Sequence, residues 1–240
     1  MDTGLYVALS GQLALDRRMT TIANNVANAG TVGFRAEGVS FGEIVSRAAS
    51  FTTSFATPGR EHFSTASGGL TRTGNAFDVA VQGKGFLALA TPQGTIYSRD
   101  GRMQMLADGQ LVSLNGHAVL DAGGAPIQFD PSGGEPKIAY DGMIHQGGKR
   151  MGAIGLFTIA EGQAYTRSDN AGIIPAQEPE PVVSFANDGF AQGFVEEANV
   201  NPVHEMVRLI EVTRAFEGLQ SLTDDVGTAE RNAIQTLGGK

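Results

Sequence analysis

Asn201-Pro202-Val203-His204-Glu205-Met206-Val207-Arg208-Leu209-Ile210-Glu211-Val212 opens the longest regular pattern in this 240-residue chain. Asn is a favoured N-cap and Pro a favoured first helical residue, so Asn201-Pro202 marks a helix start. From there Leu209, Val212, Phe216, Leu219, Thr223, Val226, Glu230, Ala233 and Leu237 advance by gaps of three and four, up to Gly238-Gly239. That spacing keeps one stripe in line along a helix of roughly 36 residues, about 54 Å long. Gly218 and Gly227 lie inside it, each costing about 1 kcal/mol against alanine, so packing must compensate or the helix bends there. A stripe of this length has to be buried against another helix.

The opposite end of the chain supplies one. Leu5, Ala8, Gln12, Leu15, Met19, Ile22 and Val26 repeat the same spacing, predicting a helix from about Thr3 to Asn28. Asn24, Asn25, Asn28 and Gly30 are residues that end helices. Residues 31–69 are irregular, with isolated Phe34, Phe41, Phe51, Phe55 and Phe63, and read as an extended connector. From Leu70 the text becomes β-like. Phe77, Val79 and Val81 alternate with Asp78, Ala80 and Gln82, the period of a half-buried strand. Gly83-Lys84-Gly85 turns into Phe86–Leu89, and Asx-Gly pairs follow at Asp100-Gly101, Asp108-Gly109, Asn115-Gly116 and Asp141-Gly142. Leu111–Leu114, Ala118–Leu120, Ile154–Ile159 and Val182–Phe185 read as strands, and Pro175–Pro181 as a stiff exposed crossing. The fold class is α+β: two terminal helices around an inserted, mainly antiparallel β-domain. The expected divisions are 1–30 for the first helix, 31–69 for the connector, 70–190 for the β-domain and 191–240 for the second helix.

Composition narrows the function. A net charge of −8 with four lysines argues against a broad phosphate-binding face, hence against nucleic acid. No cysteine is present, which excludes disulfides, thiolate metal sites and thiol catalysis. No 18-residue apolar run exists, and Asp2 with Asp16-Arg17-Arg18 spoils the pattern of a secretory signal. The 33 glycines, roughly twice ordinary usage, favour turns. Gly83-Lys84-Gly85 lacks the third glycine of a dinucleotide loop, and Ser168-Asp169-Asn170 lacks its hydrolase companions. His62, His117, His145 and His204 have no ligand spacing, so no metal or cofactor site is expected. Glu196 and Glu197, adjacent on a strand, point to opposite sides and are read as solvated rather than as a catalytic pair. No nucleophile or acid pair is recognisable, and no enzymatic activity is expected.

Three strings carry a family resemblance. They are Ala23-Asn24-Asn25-Val26-Ala27-Asn28-Ala29 with Thr31 and Gly33-Phe34-Arg35; Phe77-Asp78-Val79-Ala80-Val81-Gln82-Gly83-Lys84-Gly85-Phe86 with Tyr97-Ser98-Arg99-Asp100-Gly101 and Asp108–Val112; and Gly193-Phe194-Val195-Glu196 with Asn199-Val200, Glu205-Met206-Val207 and Arg214-Ala215-Phe216-Glu217. In this order they resemble the bacterial flagellar basal-body rod and hook family, and its proximal rod members most. Ala198 and Thr213 depart from the residues common at those places.

The resemblance implies a structural, self-assembling subunit of a periplasm-spanning rod that transmits motor torque. It implies export through the flagellar type III apparatus without a cleaved signal peptide. Its partners would be other copies of itself and neighbouring rod proteins, not a membrane span, nucleic acid or small-molecule substrate. It also implies an inner layer in which the terminal helices pair antiparallel, coiled-coil fashion. The expected assembly interface is Leu5, Leu9, Leu15, Met19, Ile22 and Val26 from the first helix with Met206, Leu209, Ile210, Val212, Phe216 and Leu219 from the second. Gln12 is expected to fix register. Asn24, Asn25 and Asn28 are expected as end-of-helix and turn residues with hydrogen bonds across subunits. A secreted glycan- or peptidoglycan-binding β-domain on a helical stalk is the alternative, weakened by the absence of tryptophan.

Overall fold

Helix α1 (Thr3–Ala27) and helix α2 (Pro202–Gly238) stand where the three-four spacing placed them. The computed structural model describes residues 3–46, 53–57, 59–169 and 171–238; Phe51 of the expected connector lies outside them, as do the side chains of Glu230, Ala233 and Leu237. The Asn201 side chain caps α2 by accepting the His204 amide at 3.1 Å. Helix α2 runs unbroken through Gly218 and Gly227.

The chain divides into two compact units. One comprises Met1–Ala27, Glu37–His62 and Asn201–Lys240; the other comprises Asn28–Ala36 and Phe63–Val200. In the first, the expected connector proves to contain strands. Glu37–Ser40 pairs with Arg60–Phe63, and Glu43–Ser46 pairs antiparallel with Thr53–Ala56. Backbone amides left next to other elements need partners, which a short ladder supplies without any strong strand propensity. Ser10 of α1 contributes too, its Oγ accepting the Ala56 amide at 3.2 Å.

The second unit is β-structure with antiparallel pairing throughout its registered strand pairs. Its larger sheet runs Tyr165–Ser168, Gly172–Pro175, Gly94–Ser98, Phe86–Thr91, Ala118–Val119, Leu111–Ser113, Met103–Met105, and Leu156–Thr158 also pairs with Phe86–Thr91. Residues alternate between two cores. Leu87, Leu89 and Ile96 join Val79, Leu111 and Ile144 in one cluster; Phe86, Ala88 and Tyr97 join Phe157 and Ile173 in the other. Apolar material on both faces explains why Val79, Ala80 and Val81 of strand Val79–Gln82 are all buried, where alternation predicted a half-exposed strand.

Two further expectations change. Val182–Phe185 is not a strand, although the Val182 amide does donate to the Leu156 carbonyl at 2.8 Å; Val183 faces solvent. Inside the expected crossing, Glu180–Pro181 pairs as a short strand with Leu156–Thr158. Gly109, Gly116 and Gly142 adopt positive φ, as Asx-Gly turns require. Gly101 does not. It is glycine for a different reason, because a Cβ there would lie 1.8 Å from the Val79 carbonyl oxygen.

Candidate assembly interface

Three contacts fix the direction of the helix pair. Asn25 Nδ2 donates to Glu205 Oε2 at 3.3 Å, Thr213 Oγ1, whose proton goes to the Leu209 carbonyl, lies 3.8 Å from Met19 Sδ, and a Cβ at Gly11 would sit 3.1 Å from Leu219 Cδ2. Residue numbers fall along α1 as they rise along α2, so the helices are antiparallel. Gly11, with no Cβ, leaves room for the Leu219 side chain against the α1 backbone. Ile22 and Val212 are buried in this seam, and Gln12, Leu15, Met19, Val26, Leu209, Phe216 and Leu219 are half-buried.

The rest of the expected interface points outward. Leu5 and Leu9 are each 49% exposed, Met206 is 51% and Ile210 54%. They do not stand alone: Tyr6 and Leu13 on α1 and Val203 and Val207 on α2 are also exposed. These four lie outside the expected interface; a second apolar row beside the three-four series is the sequence signal that marks them.

At its end α1 is tied to the strand that follows. The Asn25 carboxamide behaves like a β-strand neighbour of Glu37, its Oδ1 accepting the Glu37 amide at 2.8 Å and its Nδ2 donating to the Glu37 carbonyl at 2.9 Å. Asn24 Nδ2 donates to the Glu37 carboxylate at 2.7 Å. Glu205, in the first turn of α2 where a negative charge suits the helix dipole, is also paired with Arg208 at 2.7 Å. Asn28 forms the turn itself, its carbonyl accepting the Thr31 amide at 3.0 Å. Asn25→Ala is expected to cost about 1–3 kcal/mol, since it leaves the part-buried Glu37 amide and carbonyl without this partner and takes one donor from Glu205; urea denaturation followed by circular dichroism checks this.

In the second unit, the residues that follow α1 and those that precede α2 are laced together around a buried charge cluster. Glu196 is 1% exposed, which corrects its expected solvated role. On a strand, one of two adjacent glutamates must face inward, and Glu196 is that one. Its Oε1 lies 3.0 Å from Arg35 Nη2 and accepts the Gly68 amide at 2.8 Å; its Oε2 lies 3.0 Å from Arg99 Nη1. Around this clasp the Gly33 amide donates to the Glu196 carbonyl at 2.7 Å, and Asn199 Oδ1 accepts the Ala36 amide at 2.7 Å. Gly33 has φ of 73°, and a Cβ there would meet the Asp100 amide nitrogen at 2.2 Å.

Phe34 is buried beneath the Arg167 guanidinium, whose carbon lies 4.6 Å from the ring centre. Arg99 donates to the Val81 and Gly83 carbonyls and stacks 5.0 Å above Phe86. Burial, then the charge of Arg35, push Arg99 down to about 10 despite Glu196. Arg35 is lowered as well, by burial, with Glu196 opposing. Two guanidinium charges therefore share one carboxylate. All three residues lie in the family strings, but no local pattern marks them as a cluster, because 35, 99 and 196 meet only after folding.

Comparison with known proteins is consistent along the chain. Residues 5–35 match the family described as Flagella basal body rod protein, residues 80–146 the Flagellar hook protein FlgE/F/G D1 domain, and residues 191–222 the Flagellar basal body rod FlgEFG protein C-terminal. The flagellar basal-body rod protein FlgF of Mesorhizobium japonicum is 52% identical over 240 residues, covering 100% of both chains. That of Rhizobium meliloti is 44% identical over 239 residues, covering 100% of this chain and 99% of its own. That of Salmonella typhimurium is 31% identical over 255 residues, covering 99% of each.

Proposed function

The chain belongs to the flagellar basal-body rod protein family, and from that membership we propose that its outward helix faces are the surfaces through which rod subunits join. It is a structural subunit of the rod, at the flagellar basal body. The observation that carries the proposal is the exposed apolar face that Leu5 and Leu9 on α1 and Met206 and Ile210 on α2 present to solvent. Burying a side chain of that size contributes about 1.5–3 kcal/mol, so a dozen shared among neighbours would hold a tube against torque. Contacts between unlike faces of successive copies propagate rather than close, as a rod requires. The half-buried seam of Leu15, Met19, Val26, Leu209, Phe216 and Leu219 completes a coiled-coil-like layer when those neighbours cover it.

The subunit acts by packing rather than by catalysis. Its partners are further copies and neighbouring rod proteins, and it reaches the periplasm through the flagellar export apparatus without a cleaved signal. No described helix is long and apolar enough to cross a membrane.

Because the chain has no cysteine, single thiols report on each face without background. Leu9→Cys and Ile210→Cys are expected to react with a maleimide in the free subunit and to be protected in isolated basal bodies. Val183→Cys, on the most exposed apolar side chain of the β-unit, serves as the reactive control in free subunits. Equal labelling of Cys at 9 and 210 in free and assembled protein would remove the helix faces from the interface.

A further inference from the structure

The outward apolar faces of the two helices do not lie side by side. On α1, Leu5, Leu9 and Leu13 follow one another at intervals of four and are all exposed, so they form one row. Asp16 and Thr20, also exposed, follow on that side of the helix as polar side chains. On α2, Val203, Val207 and Ile210 form a second exposed row, which continues as Arg214, Glu217, Ser221 and Asp225, all exposed. Each outward row is apolar only near the N-terminal end of its helix.

Antiparallel pairing puts those apolar ends at opposite ends of the pair. Gly11 stands against Leu219 and Asn25 against Glu205. In that register Leu5, Leu9 and Leu13 stand level with Asp225, Ser221 and Glu217, the polar part of the α2 row. Bringing the leucines level with Ile210, Val207 and Val203 takes a shift of roughly 14 residues, about 21 Å. The two apolar rows match in length, at roughly 12 and 11 Å between their end residues.

Resting on the reading that outward helix faces join rod subunits, we propose that the α1 row is covered by the α2 row of a second copy of this chain, displaced by about 21 Å along the helix axis.

Three arrangements of two copies compete. With no displacement, the leucines of one copy would face Asp225, Ser221 and Glu217 of the next, and two carboxylates would lose water against hydrocarbon. A two-fold contact of the α1 row with itself covers that row but closes as a pair and leaves the α2 row in water. The displaced contact sets leucine against valine and isoleucine, so both rows leave water in one interface. It also leaves an α1 row free at one end and an α2 row free at the other, so the contact repeats without closing.

The absence of cysteine makes the arrangement testable with the purified full chain. Leu9→Cys, Val207→Cys and Ser221→Cys each change one exposed position, where substitution alters stability little. Equal mixtures of two variants are concentrated, oxidised with copper phenanthroline and separated on a non-reducing gel. Every chain carries a single thiol, so any disulfide joins two copies. Leu9→Cys mixed with Val207→Cys is expected to give about tenfold more dimer than either variant alone, or than Leu9→Cys with Ser221→Cys, because only facing thiols meet at high effective concentration and within disulfide reach. As much dimer from Leu9→Cys alone would assign the α1 row to a two-fold contact. As much with Ser221→Cys would assign it to undisplaced copies, and no excess in any mixture to an occupant other than this chain. Each of these three results overturns the proposal. The wider reading fails separately, when Leu9→Cys and Ile210→Cys label equally in free subunits and in isolated basal bodies.

Discussion

Replacing Glu196 by Gln is expected to lower the stability of the β-unit by about 3–5 kcal/mol, a large share of what a domain of this kind possesses. The carboxylate between Arg35 and Arg99 is 1% exposed, and the amide that replaces it is nearly the same size, so the cost is electrostatic rather than steric. Two buried guanidinium groups would then face each other without a counter-charge. The sign of the pH dependence follows from Arg99. Its folded pKa of about 10 lies below the unfolded value, so the unfolded chain binds more protons above pH 10 and stability rises there. Removing Glu196 takes away an influence that raises this pKa, so the relief begins at lower pH in the variant. The gap between wild type and Glu196→Gln should therefore narrow as pH rises toward 10. Ionisation of Tyr97, itself raised by burial, is common to both proteins and cancels in the difference. Urea unfolding followed by circular dichroism at several pH values measures the effect; a gap below about 1 kcal/mol that does not change with pH would show that the clasp is not held by charge.

A complete loss of swimming is expected from Ile210→Asp, with the isolated subunit as stable as wild type. Ile210 is 54% exposed in the chain, and substitutions at such positions usually change stability by no more than about 0.5 kcal/mol. Covered by a neighbour, the same aspartate would be a desolvated, unpaired charge, which costs several kcal/mol at every repeat of the polymer. Val212→Asp provides the contrast. Two residues further along, on the opposite side of α2, Val212 is 5% exposed in the seam with α1, so its replacement should loosen the helix pair before any assembly begins. Motility in a strain lacking the native subunit, together with thermal melting of both purified variants, separates the two. Normal swimming with Ile210→Asp would refute the outward face as an assembly surface.

Much of this molecule was legible in its residues. The start of α2 is set by Asn201 and Pro202, whose preferences act within one turn and need no distant partner. Gly109, Gly116 and Gly142 were readable for the same reason, since an Asx-Gly turn is decided by the φ of one residue. The three-four spacing found both helices, and the family strings identified their setting. What spacing could not do was say which apolar row is covered by the partner helix and which is left outside. Leu5 and Ile22 belong to the same three-four series on α1, yet one is exposed and the other buried, because α2 covers only part of α1.

The sequence by itself determined two terminal helices, an antiparallel β-unit and membership of a rod family, all of which rest on local conformational preference or on residue patterns. Only the tertiary structure decided the rest. It turned Glu196 inward, brought Arg35 and Arg99 to it across 161 and 97 positions of chain, and made Gly101 a point of backbone contact with Val79. Burial and charge pairing depend on which distant segments come to lie together, and no window of adjacent residues contains that information.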